Sequence, residues 1–538
     1  MANAAPYADM LIIASEGSIR PFADERRVEA LAIYAGKVIA AGKLTELESL
    51  RRPHSQVLKL EPQQCLLPGF NDAHIHIWKK GHLLTTMLDL SEVRSIEDIR
   101  QKVAARAQEL QPGQWLLGRG YNEARLQEKR KPTRYDLDDI SPHNPVCLTR
   151  TCAHIHSLNS LALQQAGIDA QTLAPSGGAI DLGDDGQPNG LLFETAYGLV
   201  QRHIPAFSSA QLQTMIRAAG EYLLRLGVTS ATDPAIDAPL LEAYRSLEHN
   251  QTLPLRCNLL YIRRPDGGSD TLPLPEKQVS AMLRLDAVKF FSDGGLSGAT
   301  AKLREPYRNT EKPSDGILRF ETEELFALAY EAHHAGFRIA SHAIGDVAIT
   351  QLLEVYSRLQ QQDPQPLLRH RIEHFGLPDA EQLRQAAALQ LIAVPQSIFI
   401  RELGETFARY LPAHYLPRCY NLRAMLDAGL TVALSTDGPV VRDLNPLSGI
   451  HAAVTMQRHD GQIFNPEGGI SLSQAFQAYT LGGAEAQGDS DNRGTLSPGR
   501  WADMVILDAD PWQQESPDAW LEHQVAHTFL AGSSVYQA

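Results

Sequence analysis

Pro68-Gly-Phe-Asn-Asp-Ala-His-Ile-His76 is a short apolar run that ends in two histidines two residues apart. Side chains at i and i+2 of a strand share one face, so both imidazoles can meet a single metal ion. A bare His-x-His is weak evidence, because paired histidines also serve ordinary hydrogen bonding. The rest of the chain decides its reading. Taken as the end of an opening strand over 65–73, it is followed by seven further β-like runs, at 228–232, 255–261, 287–291, 338–342, 370–374, 391–394 and 431–435. Helical patterns such as 321–335 separate several of them. Strands alternating with helices predict βα units on a parallel sheet, and eight such strands are what a closed (β/α)8 TIM barrel needs.

Two regions fall outside that rhythm. Residues from about 82 to 205 carry Gly/Pro/Asp-rich loops such as Gly183-Asp-Asp-Gly-Gln-Pro-Asn-Gly190 and read as an insertion after the first strand. Short β-like runs at 10–14 and 31–42, the second punctuated by glycines as a hairpin is, find their counterpart only at 502–508 and 527–536. The expected division is therefore a composite β-sandwich domain from 1–64 and 490–538, and a barrel over 65–489 carrying the insertion.

With 538 residues, 43% hydrophobic and 21% charged, the chain has the composition of a globular enzyme too long for one simple core. A formal charge of −14 offers no basic field to a polyanion, so nucleic acid is not an expected partner. The five cysteines (Cys65, Cys147, Cys152, Cys257, Cys419) are odd in number and scattered, with no CxxC pair, which reads as reduced thiols and a cytoplasmic setting. No Lys or Arg precedes Arg20, so the apolar run at 10–14 lacks the charged start of a signal peptide. Nowhere do 18 apolar residues follow one another, and no membrane partner is expected.

Further candidates stand at the C-terminal ends of the later runs, where barrel enzymes place their catalytic groups. Lys289 lies inside Ala287-Val-Lys-Phe-Phe291, an uncommon place for a lysine because burying an ammonium is costly. Its ordinary alternative is a side chain that reaches solvent or a carboxylate. His342 ends 338–342 and His374 ends 370–374; alone, each also suits a structural hydrogen bond. Asp437, after Val432-Ala-Leu-Ser-Thr436 and before a glycine, also suits a helix cap or turn. The ordinary explanations would all have to hold at once.

Together, His-x-His on strand 1, Lys on strand 4, His on strands 5 and 6 and Asp on strand 8 resemble the binuclear members of the amidohydrolase superfamily. Val288-Lys-Phe-Phe-Ser-Asp-Gly-Gly295, Ser341-His-Ala-Ile-Gly-Asp346, Arg371-Ile-Glu-His374 and Ser435-Thr-Asp-Gly-Pro439 resemble the amidohydrolase-3 branch that contains N-substituted formamide deformylases. Gly494-Thr-Leu-Ser-Pro-Gly-Arg-Trp-Ala-Asp-Met-Val-Ile-Leu507 resembles the strand that rejoins that family's β-sandwich, so the likeness spans nearly the whole chain. The resemblance implies a Lys289 carboxylated by CO2, whose carbamate bridges two divalent metals. One metal takes His74, His76, the carbamate and Asp437; the other takes the carbamate, His342 and His374. Mixed N/O ligands without thiolate suit Zn2+ best, with one or two ions per subunit. A second pair, His154-Ile-His156, lies in the insertion beside Cys152. The resemblance matches His154 to a histidine that lines the substrate pocket and leaves His156 unassigned.

Trp78, Tyr121, Phe291 and Arg304 are the remaining substrate-binding candidates, with Phe290, Tyr307 and Phe399 as further pocket walls and Arg119 and Arg401 as further carboxylate holders. Each also suits an ordinary core or surface role. The expected function is hydrolysis of an amide-like C–N bond of a small N-acyl or N-formyl amine by metal-hydroxide attack, with Asp437 as proton shuttle. A lactonase, esterase or phosphotriesterase could use the same cage. A ring deaminase would not need Lys289, and a non-catalytic scaffold would be expected to have lost ligands. A homodimer is an expectation from the resemblance alone.

Overall fold

The computed structural model describes residues 7–14, 17–22, 27–150, 155–175, 178–265, 270–310 and 313–538. The chain divides into two compact units, Met1–Trp78 with Ala219–Ala538, and Lys79–Ala218.

The first unit is built on eight parallel strands in sequence order: β1 (Phe70–Asp72), β2 (Val228–Ile236), β3 (Arg256–Ile262), β4 (Leu283–Phe291), β5 (Arg338–Ala343), β6 (Arg371–His374), β7 (Ile392–Val394) and β8 (Thr431–Val432). Gln278–Val279 pairs antiparallel with β4. Although several strands carry polar and charged residues, β3, β5, β6 and β7 are buried at every position, as strands covered on both faces must be. Beyond β1 the chain is hydrogen-bonded on both sides. Ile75 N–H donates to Thr232 O (2.9 Å), Ala73 N–H to Leu434 O (3.3 Å) and His76 N–H to Gly438 O (2.8 Å), while Asp437 N–H donates to His74 O (2.7 Å). The segments that continue the first and last strands of the sheet thus share backbone bonds where the candidate ligands emerge.

Helices between the strands start on side-chain caps. Asp237 accepts from Leu240 N–H ahead of Ala238–His249, and Asp379 forms a capping box with Gln382 ahead of Ala380–Ala388.

The expected opening strand over 65–73 is corrected to two elements. Cys65–Pro68 pairs antiparallel with Met504–Leu507 in a five-stranded sheet that also contains Ser18–Ile19, Val525–Leu530 and Ser533–Gln537, and only Phe70–Asp72 enters the parallel sheet. Gly69 permits the change of sheet: a Cβ there would lie 2.2 Å from Thr229 Oγ1. A second sheet holds Met10–Ile13, Ala30–Tyr34, Lys37–Gly42 and Gln56–Lys59. Ile12, Leu31, Ile33 and Val38 from this sheet pack with Ile19, Leu66, Met504, Ile506 and Phe529 from the five-stranded one.

The second unit contains a six-stranded sheet in the order Gly178–Leu182, Pro188–Glu194, Ile155–Leu158, Val146–Arg150, Leu116–Tyr121, Leu88–Asp89. Leu90, Ile99, Val103, Leu116, Val146 and Leu148 are among its buried core. Among the described residues no helix is long and apolar enough to cross a membrane.

Candidate metal centre

His74 and His76 leave β1 on the segment that bonds to β2 and to the continuation of β8. Lys289 lies near the end of β4, His342 near the end of β5, His374 at the end of β6, and Asp437 beyond β8. All six are buried. One ligand atom each of His74, His374 and Asp437 lies within 4.8 Å of the other two. His76 Nε2 is 3.4 Å from Asp437 Oδ1, and His74 Nε2 is 3.5 Å from the same oxygen. The rings of His342 and His374 meet edge to face at 4.3 Å between centroids, and those of His74 and His374 lie tilted at 5.0 Å.

Hydrogen bonds to backbone and side chains set the tautomers of three histidines. His74 Nδ1–H donates to Glu373, a buried carboxylate held on both oxygens by Arg371 (2.8 and 2.9 Å). That commits the Nε2 lone pair of His74 toward Asp437 Oδ1. Two acceptors facing each other across 3.5 Å repel unless a cation lies between them. His374 Nδ1–H donates to Gln396 Oε1 (2.7 Å), whose amide N–H groups are spent on Val394 O and Ser435 Oγ, so Oε1 is the acceptor and His374 Nε2 keeps its lone pair. His342 Nε2–H donates to Gly294 O (3.0 Å), leaving Nδ1 as its acceptor. Such outer partners are how proteins orient metal-binding imidazoles.

Electrostatics agree. Burial, with the charge of Lys289, drives the His74 imidazolium well below its usual range, and burial holds His342 and His374 at about 3. All three are neutral, as ligands must be. Burial pushes the Asp437 carboxyl up, but the hydrogen bond from His76 and the fields of His74, His374 and His76 outweigh it and hold it below the usual carboxylate range. Burial lowers the Lys289 ammonium to about 8, against the opposing pull of Glu373 and Asp437. Its Nζ is buried without a hydrogen-bond partner among the described residues and sits 4.8 Å over the Phe291 ring. The donor set fits a divalent cation.

His374 (φ 71°) and Asp437 (φ 55°) both adopt the left-handed backbone that non-glycine residues rarely take. In a regular strand Glu373 and His374 would face opposite sides. The turn at His374 lets both serve one site.

Of the substrate-binding candidates, Phe291 is at the site, its ring 5.6 Å from that of His342. Trp78 is half-buried, and its backbone N–H donates to Asp233 Oδ2 (3.4 Å). Phe399 stacks on His374 at 6.4 Å. The guanidinium of Arg304 pairs with Asp379 (2.8 Å) and donates to Thr350 Oγ1 (3.2 Å). Tyr121 is a core residue of the second unit, with its hydroxyl 2.8 Å from Ser157 Oγ. His154 and Cys152 lie outside the described residues. His156 stacks on Tyr197 (3.8 Å), with Nδ1 3.1 Å from Thr149 Oγ1.

Sequence reasoning missed Glu373, Arg371 and Gln396. The signal for the first two was present in Arg371-Ile-Glu-His374, where two opposite charges stand at i and i+2 of one short strand. Gln396 carried no such signal, because its role depends on where β7 ends.

A model of the amidohydrolase family matches residues 63–536. The protein YtcJ of Bacillus subtilis (strain 168) is 28% identical over 520 residues, covering 95% of this chain and 96% of its own. The N-substituted formamide deformylase of Arthrobacter pascens is 27% identical over 527 residues, covering 95% of each chain. An uncharacterized metal-dependent hydrolase from Pyrococcus furiosus is similar in structure over 94% of this chain and 100% of its own, with a TM-score of 0.78 and 26% identity. The family match runs from before β1 to the last strand of the terminal sheet and takes in every residue of the histidine and aspartate cluster, so the chain belongs to the amidohydrolase family and is a hydrolase.

Proposed function

We propose that this protein hydrolyses an amide-like C–N bond of a small N-acyl or N-formyl amine, at a divalent metal centre held by His74, His76, Lys289, His342, His374 and Asp437. The observation that carries the proposal is the buried convergence of His74, His374 and Asp437, with acceptor atoms turned toward one another, beside a lysine amine that has no hydrogen-bond partner among the described residues. The likeness to a formamide deformylase supports the choice of bond.

The backbone bonds between the continuations of β1 and β8 support a closed (β/α)8 barrel, and the shared core of the two terminal sheets supports a composite β-sandwich. Four buried free thiols, Cys65, Cys147, Cys257 and Cys419, support a reducing, cytoplasmic setting.

Bound here, Zn2+ or a similar ion supplies a Lewis acid that polarises the substrate carbonyl and brings the pKa of water to about 7. The chain's residues do the rest. The lowered pKa of Lys289 enlarges its fraction of neutral amine, whose Nζ attacks CO2; the amine gains a carboxylate, a proton is released, and a cation becomes an anionic oxygen donor. Asp437, ionised across the neutral range, takes a proton from the attacking water and delivers it to the departing amine nitrogen. Glu373 and Gln396 keep His74 and His374 in the ligating tautomer. Phe291 and Phe399 wall the site with apolar surface that excludes water from the reacting carbonyl.

The test is a chelated preparation screened on N-formyl amines, N-acyl amines and lactones before and after Zn2+ or Mn2+ is restored. Activity on the amides is expected to vanish with the metal and return with it, and His76→Ala is expected to lose both metal and turnover. Full activity in a metal-free preparation, or turnover of lactones alone, defeats the reading.

A further inference from the structure

Tyr420 lies between β7 and β8, after the short helix Ala413–Arg418 and before Leu422–Asp427. Its backbone N–H donates to Gly376 O (2.8 Å), which ties it to the segment just beyond His374. A Cβ built on Gly376 would lie 3.4 Å from Tyr420 Cζ, so the hydroxyl-bearing end of the ring rests two residues from that histidine. Phe399, which stacks on His374, packs edge-on against the tyrosine ring at 5.9 Å, and Phe407 stacks on it at 6.0 Å.

Two features of this residue oppose folding. Its φ is 48°, a left-handed conformation that a bulky aromatic adopts only under constraint. Its hydroxyl is buried without a hydrogen-bond partner among the described residues, and the whole side chain is only 1% exposed. A buried hydroxyl left unpaired costs stability that phenylalanine would not. A site retains such a group when its partner arrives with the substrate. Burial, reinforced by Cys419, Asp437 and Asp293, keeps the phenol protonated well beyond neutral pH, so it is a donor throughout.

We propose that Tyr420 is a catalytic residue whose phenolic O–H donates a hydrogen bond to the substrate carbonyl oxygen as that oxygen gains charge. This rests on the reading of the site as a carbonyl hydrolase. When the water oxygen bonds to the carbonyl carbon, the C=O π pair moves onto the carbonyl oxygen. When the C–N bond breaks, that pair returns and the amine leaves with the proton carried by Asp437. Tyr420 keeps its own proton. The bond strengthens toward the tetrahedral state, and a donor of this kind raises kcat rather than substrate affinity.

The test is Tyr420→Phe in the metal-loaded protein, on whichever carbonyl substrate the wild type turns over. Removing one such donor is expected to lower kcat by about 10²–10³-fold with KM within about threefold. Metal content is expected to stay unchanged and the melting temperature not to fall, because the lost hydroxyl was unpaired. By calorimetry a phosphonate that mimics the tetrahedral state is expected to bind about 10²-fold more weakly, while the product amine binds as before. A kcat within about threefold of wild type overturns the proposal. So does a loss of kcat accompanied by loss of metal or melting temperature, which marks a structural tyrosine. Failure of the amide reading is distinct, because it shows in the wild type as turnover of esters or lactones alone, and the same comparison on that substrate still decides Tyr420.

Discussion

Glu373 determines which nitrogen of His74 faces Asp437, and it does so from a position wholly shielded from solvent. Arg371 balances its charge, and its Nη2 also donates to Ala73 O (2.7 Å), so one buried ion pair ties β6 to the residue just beyond β1. Glu373→Gln keeps the shape but weakens the acceptor and leaves Arg371 under-compensated. Metal affinity, measured by competition with a chelator, is expected to fall by about 10–100-fold, the usual effect of losing an outer-sphere partner. An unchanged affinity would mean that His74 is oriented by packing alone.

At the scale of elements, the starts of the strands carry their own buried chemistry. His370, just before β6, accepts at Nδ1 from Ile339 N–H (3.1 Å) and donates from Nε2 to His333 Nδ1 (3.0 Å). His333 Nε2–H donates to Asp363 O (2.7 Å), so every nitrogen of the two rings is engaged. Burial, with the fields of His333 and Arg338, lowers His370 to about 3. Above the unfolded value of about 6.5 the folded and unfolded chains bind the same protons here, and no penalty applies. Between 6.5 and about 3 only the unfolded chain takes a proton, so stability falls as pH falls, by about 1.4 kcal/mol per unit from this residue. In His370→Asn the amide oxygen can replace Nδ1, but nothing titrates. Urea unfolding is expected to find the variant less stable at pH 7, with the gap to wild type narrowing as pH falls from 6.5 toward 4. A gap that stays constant with pH would assign the depressed pKa elsewhere.

At the scale of the molecule, the parallel sheet and the five-stranded terminal sheet are joined by a charged pair taken out of water. Arg256, the first residue of β3, donates from Nε and Nη2 to the two oxygens of Asp503 (2.6 and 2.9 Å), bonds Ala281 O through Nη1 and lies 4.8 Å from the Trp501 ring. Asp503 stands one residue before the strand Met504–Leu507 and also accepts from Ala531 N–H. Asp503→Ala strands a guanidinium in the interior and is expected to cost about 3–5 kcal/mol, read from urea unfolding midpoints. Arg256→Met with Asp503→Leu is expected to recover most of that loss, since an apolar pair leaves no charge uncompensated. A single variant that loses less than about 1 kcal/mol would show that water reaches the guanidinium.

Seven of the eight strands of the parallel sheet and the helix Thr322–His334 were legible in the sequence, because short β-like runs alternate there with helical, 3.6-residue periods. Also marked there were His74, His76, Lys289, His342, His374 and Asp437, which the structure buries near the ends of parallel strands or just beyond them. The sequence also marked Arg304 and Tyr121 as candidates without saying what they touch; Asp379 and the core of the second unit supplied those answers. Only the tertiary structure decided where 65–73 divides, because that depends on how closely Gly69 approaches Thr229, across more than 150 residues of chain. The same holds for the tautomers of His74 and His374, for the unpaired hydroxyl of Tyr420 and for the left-handed turns at His374 and Asp437. Periodicity is local and survives in the sequence, whereas hydrogen-bond partners and close approaches are set by residues distant along the chain, which only the folded molecule brings together.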